Sequence, residues 1–301
     1  MEGFDICLGR SLKPSFDEAP ERFRRRIAGV DYLHLRGLQG GDLFVTRDGW
    51  TNVSLLMPDR WFTGGQFRKP GQALAGATGA VYRVPVAHPA RDGFALVVKF
   101  SRFGQDVGLT MADDLIDDPV FRERMATAEF LPPFEEFGNL CRLRGQSRGN
   151  FATMAPLGIY SPPTRYLAWQ LGRKSHLQWA YERQLGASQD AGNNKVEYDW
   201  ERLYILLYRW MDGIDAEQAH RGGQLSLPQM SQLTRGMAGT IRMLGWYVLD
   251  HKPRHVIVRQ HPKTHRLLTR HGRHILGLVD YELLYPAEGQ MDDLRRWGRG
   301  D

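Results

Sequence analysis

Apolar segments alternate with glycine-rich breaks between residues 72 and 102. Residues 80–86 and 94–100 are two valine-rich runs, and a polar turn at residues 88–93 separates them. Short β-branched runs on either side of a turn are typical of a β-hairpin. The pattern therefore predicts two antiparallel strands that follow a flexible glycine turn.

Four further segments have strand patterns. Residues 42–46 are a short apolar run, and residues 204–210 are a longer one that ends in a Met-Asp-Gly turn. Residues 256–259 and 275–279 are apolar and flank a polar tip that is rich in Arg and His. These last two segments predict a second hairpin near the end of the chain.

Helical periodicity of apolar residues predicts helices at residues 18–27, 121–144, 227–249 and 290–297. Two consecutive prolines at 132–133 must divide the second of these helices, because proline cannot donate the helical hydrogen bond. We therefore expect a new helix to begin at the proline pair.

The order of these elements predicts an α+β fold with two lobes. The N-lobe is β-rich and spans residues 66–212, whereas the C-lobe, residues 213–301, is small and mainly helical. Residues 150–200 are polar and aromatic, with an early proline pair and a late loop, so they are interpreted as an insertion in the N-lobe. Residues 1–65 form an N-terminal extension to which the sequence assigns no role.

Composition narrows the class of protein. The chain has 301 residues, 42% of them hydrophobic, which is enough for a substantial core. It has two cysteines, too few for a disulfide framework, which favours the cytoplasm. No segment approaches the roughly 20 apolar residues of a membrane span. The net charge of +6 permits a nucleic-acid partner, but basic runs are more often solvated surfaces, so we do not expect one.

A turn of small residues precedes the first hairpin and contains Gly76, Thr78, Gly79 and Val81. Where no bulky side chain intervenes, backbone N–H groups can approach phosphate oxygens. The turn is thus a candidate phosphate-binding loop. A plain turn between two strands is the alternative interpretation.

Lys99 ends the apolar run of the second strand of that hairpin. A lysine among apolar residues needs an anion beside it. Glu136, on a predicted helix with apolar neighbours, is the candidate partner, and Glu135 and Glu129 are alternatives. Lys99 could instead extend to water from an edge strand.

The most informative segment joins a long predicted helix to a β-branched strand. Asp250, Lys252 and Pro253 lie in the loop between them. The segment resembles the catalytic loop of protein kinases and their relatives, whose pattern is D-x-K-P-x-N followed by an apolar strand. Three of its positions match that pattern in register.

Other segments extend the resemblance to residues 72–285. Asp280 leaves an apolar strand and precedes an aromatic residue, and so resembles the metal-binding D-F-G segment. Trp210 and Met211 resemble the end of the hinge strand on which adenine lies. Together with the glycine turn and Lys99, these segments occur in the order found in kinases.

The resemblance implies a protein-kinase-like fold and an ATP-dependent phosphotransferase that uses Mg²⁺ or Mn²⁺. Asp250 would orient the acceptor hydroxyl, Lys252 would steady the transferring phosphate, and Asp280 would bind the metal. Lys99 would hold the nucleotide phosphates, and Glu136 would keep it in place. The acceptor would be a protein Ser or Thr hydroxyl or a small molecule.

Three features depart from the kinase pattern. His255 stands where kinases carry a metal-binding asparagine, and magnesium prefers oxygen ligands. Glu282 replaces the glycine of the metal-binding segment. It is interpreted either as an extra metal ligand or as an exposed residue at the end of a strand. Only about twenty residues follow Asp280, too few for the usual peptide-binding platform. Two alternatives therefore stay open: a pseudokinase scaffold that regulates a partner protein, and a kinase-fold enzyme that transfers AMP.

Overall fold

The computed structural model describes residues 15–69, 72–74, 80–87, 93–108, 119–190, 196–261 and 263–287. Gly76, Thr78 and Gly79 of the predicted glycine turn lie outside the described residues, as do most of the turn at 88–93 and the helix predicted at 290–297. Among the described residues, no helix is both long and apolar enough to span a membrane.

The described residues form short strands and helices of mixed order. The strands are β1 (Arg24–Ile27), β2 (Val30–Arg36), β3 (Asp42–Thr46), β4 (Val81–Pro85), β5 (Ala95–Phe100), β6 (Ala152–Thr153), β7 (Pro156–Ser161), β8 (Ile205–Arg209), β9 (Ile214–Asp215), β10 (Trp246–Val248), β11 (Val256–Val258), β12 (Thr269–Arg270), β13 (Arg273–His274), β14 (Leu276–Leu278) and β15 (Leu284–Pro286). The α-helices are α1 (Arg47–Trp50), α2 (Val53–Leu56), α3 (Pro58–Trp61), α4 (Pro119–Ala126), α5 (Pro133–Gln146), α6 (Ser175–Asp190), α7 (Ala216–Arg221) and α8 (Leu227–Met243). Short 3₁₀ helices lie at Phe16–Glu18, Glu21–Phe23, Thr63–Arg68, Ala168–Leu171 and Pro253–His255.

The chain divides into two compact units that alternate along the sequence. The first unit comprises residues 1–106, 132–138 and 155–210, and the second comprises residues 107–131, 139–154 and 211–301. Both units combine helices with β-sheet, so the fold is α+β, as predicted. The predicted lobe boundary at residue 212 lies close to a unit boundary, but residues 107–131 and 139–154, which were predicted in the N-lobe, belong to the second unit.

The first unit is built on a seven-stranded antiparallel sheet of order β1-β2-β3-β7-β8-β5-β4. Side chains alternate between the two faces of a strand, so every second residue of each strand lies on the same face of the sheet. On one face of this sheet these residues are apolar. This set packs on the helical segment at residues 47–68 and includes Trp50 and Trp61. On the sheet it consists of Leu33, Leu35, Leu43, Val45, Val84, Leu96, Val98, Leu157, Tyr160, Ile205 and Leu207.

The other face of this sheet contacts the beginning of helix α5. Phe134 of α5 meets the rings of Tyr32 and Phe44 edge-on, with centroid distances of 5.5 and 5.0 Å. Phe137, almost one turn later, lies 5.1 Å from the ring of Tyr208. These aromatic contacts fix the helix on the sheet, and they place the α5 residues between Phe134 and Phe137 close to strands β5 and β8.

The described part of the predicted N-terminal extension, residues 15–65, is not separate from the sheet. Strands β1, β2 and β3 supply three of its seven strands, and β3 pairs with β7. The helix predicted at residues 18–27 is wrong, because residues 24–27 pair with β2 across a two-residue turn. Ala28 and Gly29 of that turn have φ values of +48° and +78°, which matches the twist of a tight hairpin.

Residues 150–200 are likewise not an insertion as a whole. Strand β7 lies in the middle of the sheet between β3 and β8, and all six of its residues are buried. The sequence signal was weak because Pro156 begins the strand and Gly158 lies at an irregularity in its pairing with β8. Only the later part, with helix α6, lies outside the sheet.

The second unit contains the predicted C-terminal hairpin. Strands β11 and β14 are antiparallel, with Val256 opposite Leu278, and they lie inside a four-stranded sheet of order β6-β14-β11-β9. Helix α8 begins at an N-cap, Ser226, whose side chain accepts a hydrogen bond from Gln229 N. It ends at Met243 and not at residue 249, because Gly245 adopts a φ of +82° before strand β10.

Candidate functional site

Lys99 lies on β5, the strand next to the edge of the seven-stranded sheet. It is opposite Val81 of β4 and Leu206 of β8, and only 6% of its surface is exposed. Its Nζ atom donates a hydrogen bond to Glu136 Oε1 at 3.0 Å. The predicted pairing of Lys99 with Glu136 is therefore present, and the alternative of a lysine that extends to water is wrong.

Glu136 is even more deeply buried, at 1% exposure, in the first turn of α5. Tyr208 on β8 donates its hydroxyl to the same Oε1 atom at 2.5 Å. A buried carboxylate needs such partners, since taking a charge out of water costs several kcal/mol. We call Lys99, Glu136 and Tyr208 the Lys99 cluster.

The two alternative glutamates lie elsewhere. Glu135 accepts a hydrogen bond from the Tyr198 hydroxyl. Glu129 is exposed. The carboxylate that Lys99 Nζ contacts is that of Glu136, which the inward face of helix α5, set by Phe134 and Phe137, brings to the sheet.

The N-terminal strands help to position Glu136. The turn between β1 and β2 packs against helix α5 at Gly138, where a Cβ would lie 2.4 Å from the carbonyl oxygen of Ala28. Only a glycine permits this close approach of two backbones. The segment to which the sequence assigned no role thus supports the helix that carries Glu136.

Strands β4 and β8 flank the strand that carries Lys99. Val81 begins β4 and is half-buried, and Trp210 follows β8 with its backbone N–H bonded to Ala95 O at 2.9 Å. The guanidinium of Arg83 lies 4.9 Å from the centre of the Trp210 ring. Met211 belongs to the second unit, where its buried side chain packs so closely on Gly277 that no Cβ would fit there.

Asp250 and Lys252 form an ion pair within one loop of the second unit. Lys252 Nζ lies 2.6 Å from Asp250 Oδ1 and 2.9 Å from Oδ2. The Asp250 side chain is 12% exposed and that of Lys252 is 34% exposed, so both are accessible to a ligand. We call residues 250–255 the aspartate loop.

Asp280 has a strained backbone. Its φ is +68°, a left-handed conformation that non-glycine residues adopt rarely and often at functional sites. Its Oδ2 atom lies 3.6 Å from His255 Nε2, and Val279 N donates to His255 O at 3.0 Å. The structure thus brings together the two residues that were predicted as metal ligands.

Residues 281 and 282 anchor the segment that carries Asp280. The Tyr281 ring is fully buried, and its hydroxyl donates to Leu278 O and accepts from Met154 N at 2.8 Å. Glu282 is also buried, so its interpretation as an exposed strand-end residue is wrong. Its backbone oxygen accepts a hydrogen bond from Leu131 N. These contacts fix the chain immediately after Asp280.

His251 is a member of the aspartate loop that the motif does not include. Its Nε2 atom lies 3.0 Å from the carbonyl oxygen of Thr234 on α8. Burial lowers the pKa of the imidazole to about 4, more than its hydrogen bond raises it. His251 is therefore neutral near pH 7, with Nε2 as the donor, and it ties the loop to helix α8.

Stability should depend on His251 between pH 6.5 and pH 4. In this window the unfolded chain binds a proton at this side chain and the folded chain does not, so acid favours unfolding. The lowered pKa predicts a loss of about 3 kcal/mol in the free energy of unfolding from pH 7 to pH 4. Urea unfolding across this range measures it. His251→Gln, which keeps an N–H donor but cannot titrate, should flatten the dependence, and equal slopes in both proteins would contradict the assignment.

Metal ligation rests on few residues. Within the described part of the chain, no three His, Cys, Asp or Glu side chains converge as a metal site. Asp280 and His255 offer one oxygen and one nitrogen ligand, so phosphate oxygens and water would have to complete any coordination shell. A carboxylate–imidazole pair suits Mn²⁺ as well as Mg²⁺, because imidazole is a better ligand for transition metals.

Two residues of these clusters were not predicted from the sequence, Tyr208 and His251. Tyrosine is common in strands, so its hydroxyl gives no signal until the register with Lys99 is known. His251 sits between two motif positions, where the pattern accepts any residue.

No family model matches this chain, and no curated protein matches it at a significant level.

Proposed function

We propose that this chain is an ATP-dependent phosphotransferase of the protein-kinase-like superfamily. The observation that carries the proposal is the buried pair of Lys99 and Glu136, which joins a sheet lysine to a helix glutamate. In protein kinases such a pair aligns the lysine with the nucleotide phosphates. The order of the elements supports the comparison, since the lysine strand β5 precedes helix α5 and then strand β8.

A structural role explains the Lys99 cluster poorly. Replacing a buried ion pair with apolar residues of similar volume is often neutral or stabilising, so such a pair is weak evidence for stability. Lysine 99 and Glu136 also lie away from the main apolar face of the sheet. A positive charge held at a fixed position is what a bound phosphate requires.

The second unit supplies the remaining chemistry of the proposal. Asp250 would orient the attacking hydroxyl or accept its proton, and Lys252 would neutralise charge on the transferring phosphoryl group. Asp280 would bind Mg²⁺ or Mn²⁺ with the nucleotide. The acceptor would be a Ser or Thr hydroxyl or a small molecule, and ATP and reduced cysteines are consistent with a cytoplasmic reaction.

A pseudokinase scaffold is the second candidate. It is favoured by one observation: His255 provides an imidazole beside Asp280 where kinases provide an amide oxygen, at a separation of 3.6 Å. A weakened metal site would leave nucleotide binding without transfer. Transfer of AMP is a variant of the enzyme proposal, in which the same residues hold the triphosphate in the opposite orientation.

Thermal unfolding with nucleotide tests the proposal. ATP with Mg²⁺ or Mn²⁺ should raise the melting temperature by about 5 °C at a concentration a hundredfold above Kd, because a ligand of the folded state stabilises it. Asp280→Asn should remove the part of the rise that depends on metal. The control Asp212→Asn changes an exposed carboxylate of the same unit and should leave the rise intact.

The outcomes separate the candidates. A metal-dependent rise with transfer of labelled γ-phosphate supports the kinase, and transfer of labelled α-phosphate supports AMP transfer. A rise without any transfer supports the pseudokinase. If no nucleotide changes the melting temperature, ATP binding is wrong.

A further inference from the structure

The chain between Asp250 and Asp280 contains no acidic residue and no Phe, Tyr or Trp. It carries many of the basic side chains of the second unit. Those of permanent charge are Lys252, Arg254, Arg259, Lys263, Arg266, Arg270 and Arg273. A stretch of this length without a carboxylate cannot neutralise its own charge.

The structure folds the middle of this stretch into an exposed basic tip. Beyond β11, Gln260 pairs with Leu267, and β12 pairs with β13. The two turns at the tip, residues 261–266 and 270–273, are exposed wherever they are described. We call residues 261–273 the basic tip.

Within the described part of the chain, the charges of the basic tip have no counterions. Among the described residues, no ion pair is formed by Lys263, Arg266, Arg270 or Arg273, whereas several surface arginines elsewhere do have carboxylate partners. Pairs of this kind are Arg26–Asp31, Arg47–Asp17, Arg165–Asp199 and Arg221–Glu217. The tip is thus a concentrated positive surface that attracts an anionic partner.

We propose that the basic tip binds an acidic polypeptide segment of the phosphoryl acceptor. The proposal rests on the proposed phosphotransferase function and names its substrate class, a protein whose acceptor hydroxyl is accompanied by a run of Asp or Glu.

The chemistry of the tip favours carboxylates over nucleic acid. Three of its four permanent charges are arginines, whose guanidinium groups bind carboxylates, as they bind phosphates, through two parallel hydrogen bonds. The tip contains no Phe, Tyr or Trp ring on which bases could stack, and its only aromatic rings are imidazoles. Four permanent charges would also neutralise few phosphates of a duplex, and this limits affinity at physiological salt.

The position of the tip sets the spacing of the acceptor. Arg273 is seven residues before Asp280, and the chain between them runs through β13 and β14. At about 3.3 Å per residue, seven residues span at most about 23 Å, so Arg273 lies within about this distance of Asp280. An extended acceptor would therefore carry its acidic run up to about seven residues from the hydroxyl.

Fluorescence anisotropy without nucleotide or metal tests the docking surface. The probe is a labelled peptide with one serine, a six-residue alanine spacer and six glutamates, and its control carries glutamines instead. Arg266→Glu, Arg270→Glu and Arg273→Glu together should weaken binding of the acidic peptide at least tenfold. Arg60→Glu, Arg148→Glu and Arg183→Glu, which change the same net charge at exposed sites, should weaken it less than threefold.

The variants remain interpretable if the charge reversal impairs folding. The three tip arginines are exposed, so the melting temperature should change little, and replacement of the same three residues by Gln provides a milder variant. The Gln variant should weaken binding about threefold or more. Equal binding of the acidic peptide by the tip variants and the control variant would overturn the proposal.

Two further ligands distinguish the possible polyanions. One is a 16-base-pair duplex, and the other is vesicles with anionic lipid. If either binds through the tip while the acidic peptide does not, the partner of the tip is nucleic acid or membrane and not an acidic acceptor. The docking proposal and the phosphotransferase proposal can fail separately. A peptide that binds but receives no phosphate contradicts the phosphotransferase proposal alone. ATP-dependent stabilisation without peptide binding contradicts the docking surface alone.

Discussion

Lys99→Met is expected to abolish ATP-induced stabilisation and to lower the free energy of unfolding by about 3–5 kcal/mol. The substitution removes the recorded cation beside Glu136, which is 1% exposed and would be left as a buried charge. Removing one partner of a buried ion pair has a cost of this size. Urea unfolding measures the stability, and thermal unfolding with ATP and Mg²⁺ measures binding.

A repaired variant separates the two effects of Lys99→Met. Lys99→Met combined with Glu136→Leu and Tyr208→Phe removes the whole Lys99 cluster, both its charges and its hydroxyl. We expect this triple variant to regain most of the lost stability but not ATP binding. The exposed Lys69→Met is the control and should change neither property. ATP binding by the repaired variant would show that the cluster is structural only.

Asp250→Asn is expected to reduce phosphoryl transfer by a factor of about 10² to 10⁴ while ATP binding is retained. A positioned carboxylate that orients a hydroxyl or accepts its proton contributes acceleration of this order. The nucleotide phosphates would be held by other residues, so the ATP-induced rise in melting temperature should persist. Transfer of labelled γ-phosphate to the acidic peptide, to the chain itself or to water measures the rate.

The stability of Asp250→Asn should change little. Lys252 is 34% exposed and can turn to water when its carboxylate partner is lost, and pairs of this kind contribute at most about 1 kcal/mol. Asp59→Asn, an exposed carboxylate in the first unit, is the matched control. Unchanged transfer in Asp250→Asn, or equal loss in both variants, would remove Asp250 from the mechanism.

Periodicity predicted the parts of the fold that have regular local patterns. Strand β3 lies at residues 42–46 as predicted, β5 begins one residue later than predicted, and β8 is one residue shorter at each end. The proline pair divides α4 from α5, because a proline ring fixes where a helix can begin. These elements carry their signal within a few residues of sequence.

The missed elements depend on contacts that are distant in sequence. The arginine-rich β1 is a strand because Ala28 and Gly29 turn it back onto β2, a conformation that alanine rarely adopts. Strand β7 is buried on both sides by strands far from it in the chain. A proline, a glycine and neighbouring polar residues hide such a strand from any local pattern.

The Lys99 cluster was predictable in part. Helical spacing indicated that Glu136 faces inward with Phe137, and the structure contains that contact with Lys99. Tyr208 could not be predicted, since its place beside Glu136 follows from the register of β8 with β5. In the second unit, the loop motif indicated Asp250 and Lys252, whereas the bond from His251 to Thr234 depends on how helix α8 packs.

The central position of β7 has a consequence for synthesis on the ribosome. Strand β3 emerges with its outer edge unpaired, and its partner follows more than a hundred residues later, as the bond between Thr46 and Pro156 shows. Pairing over such distances is slow, and a free strand edge can join the edge of another chain. A nascent or truncated chain that ends before β7 would therefore aggregate through β3, so completion of the sheet protects the molecule as well as shaping it.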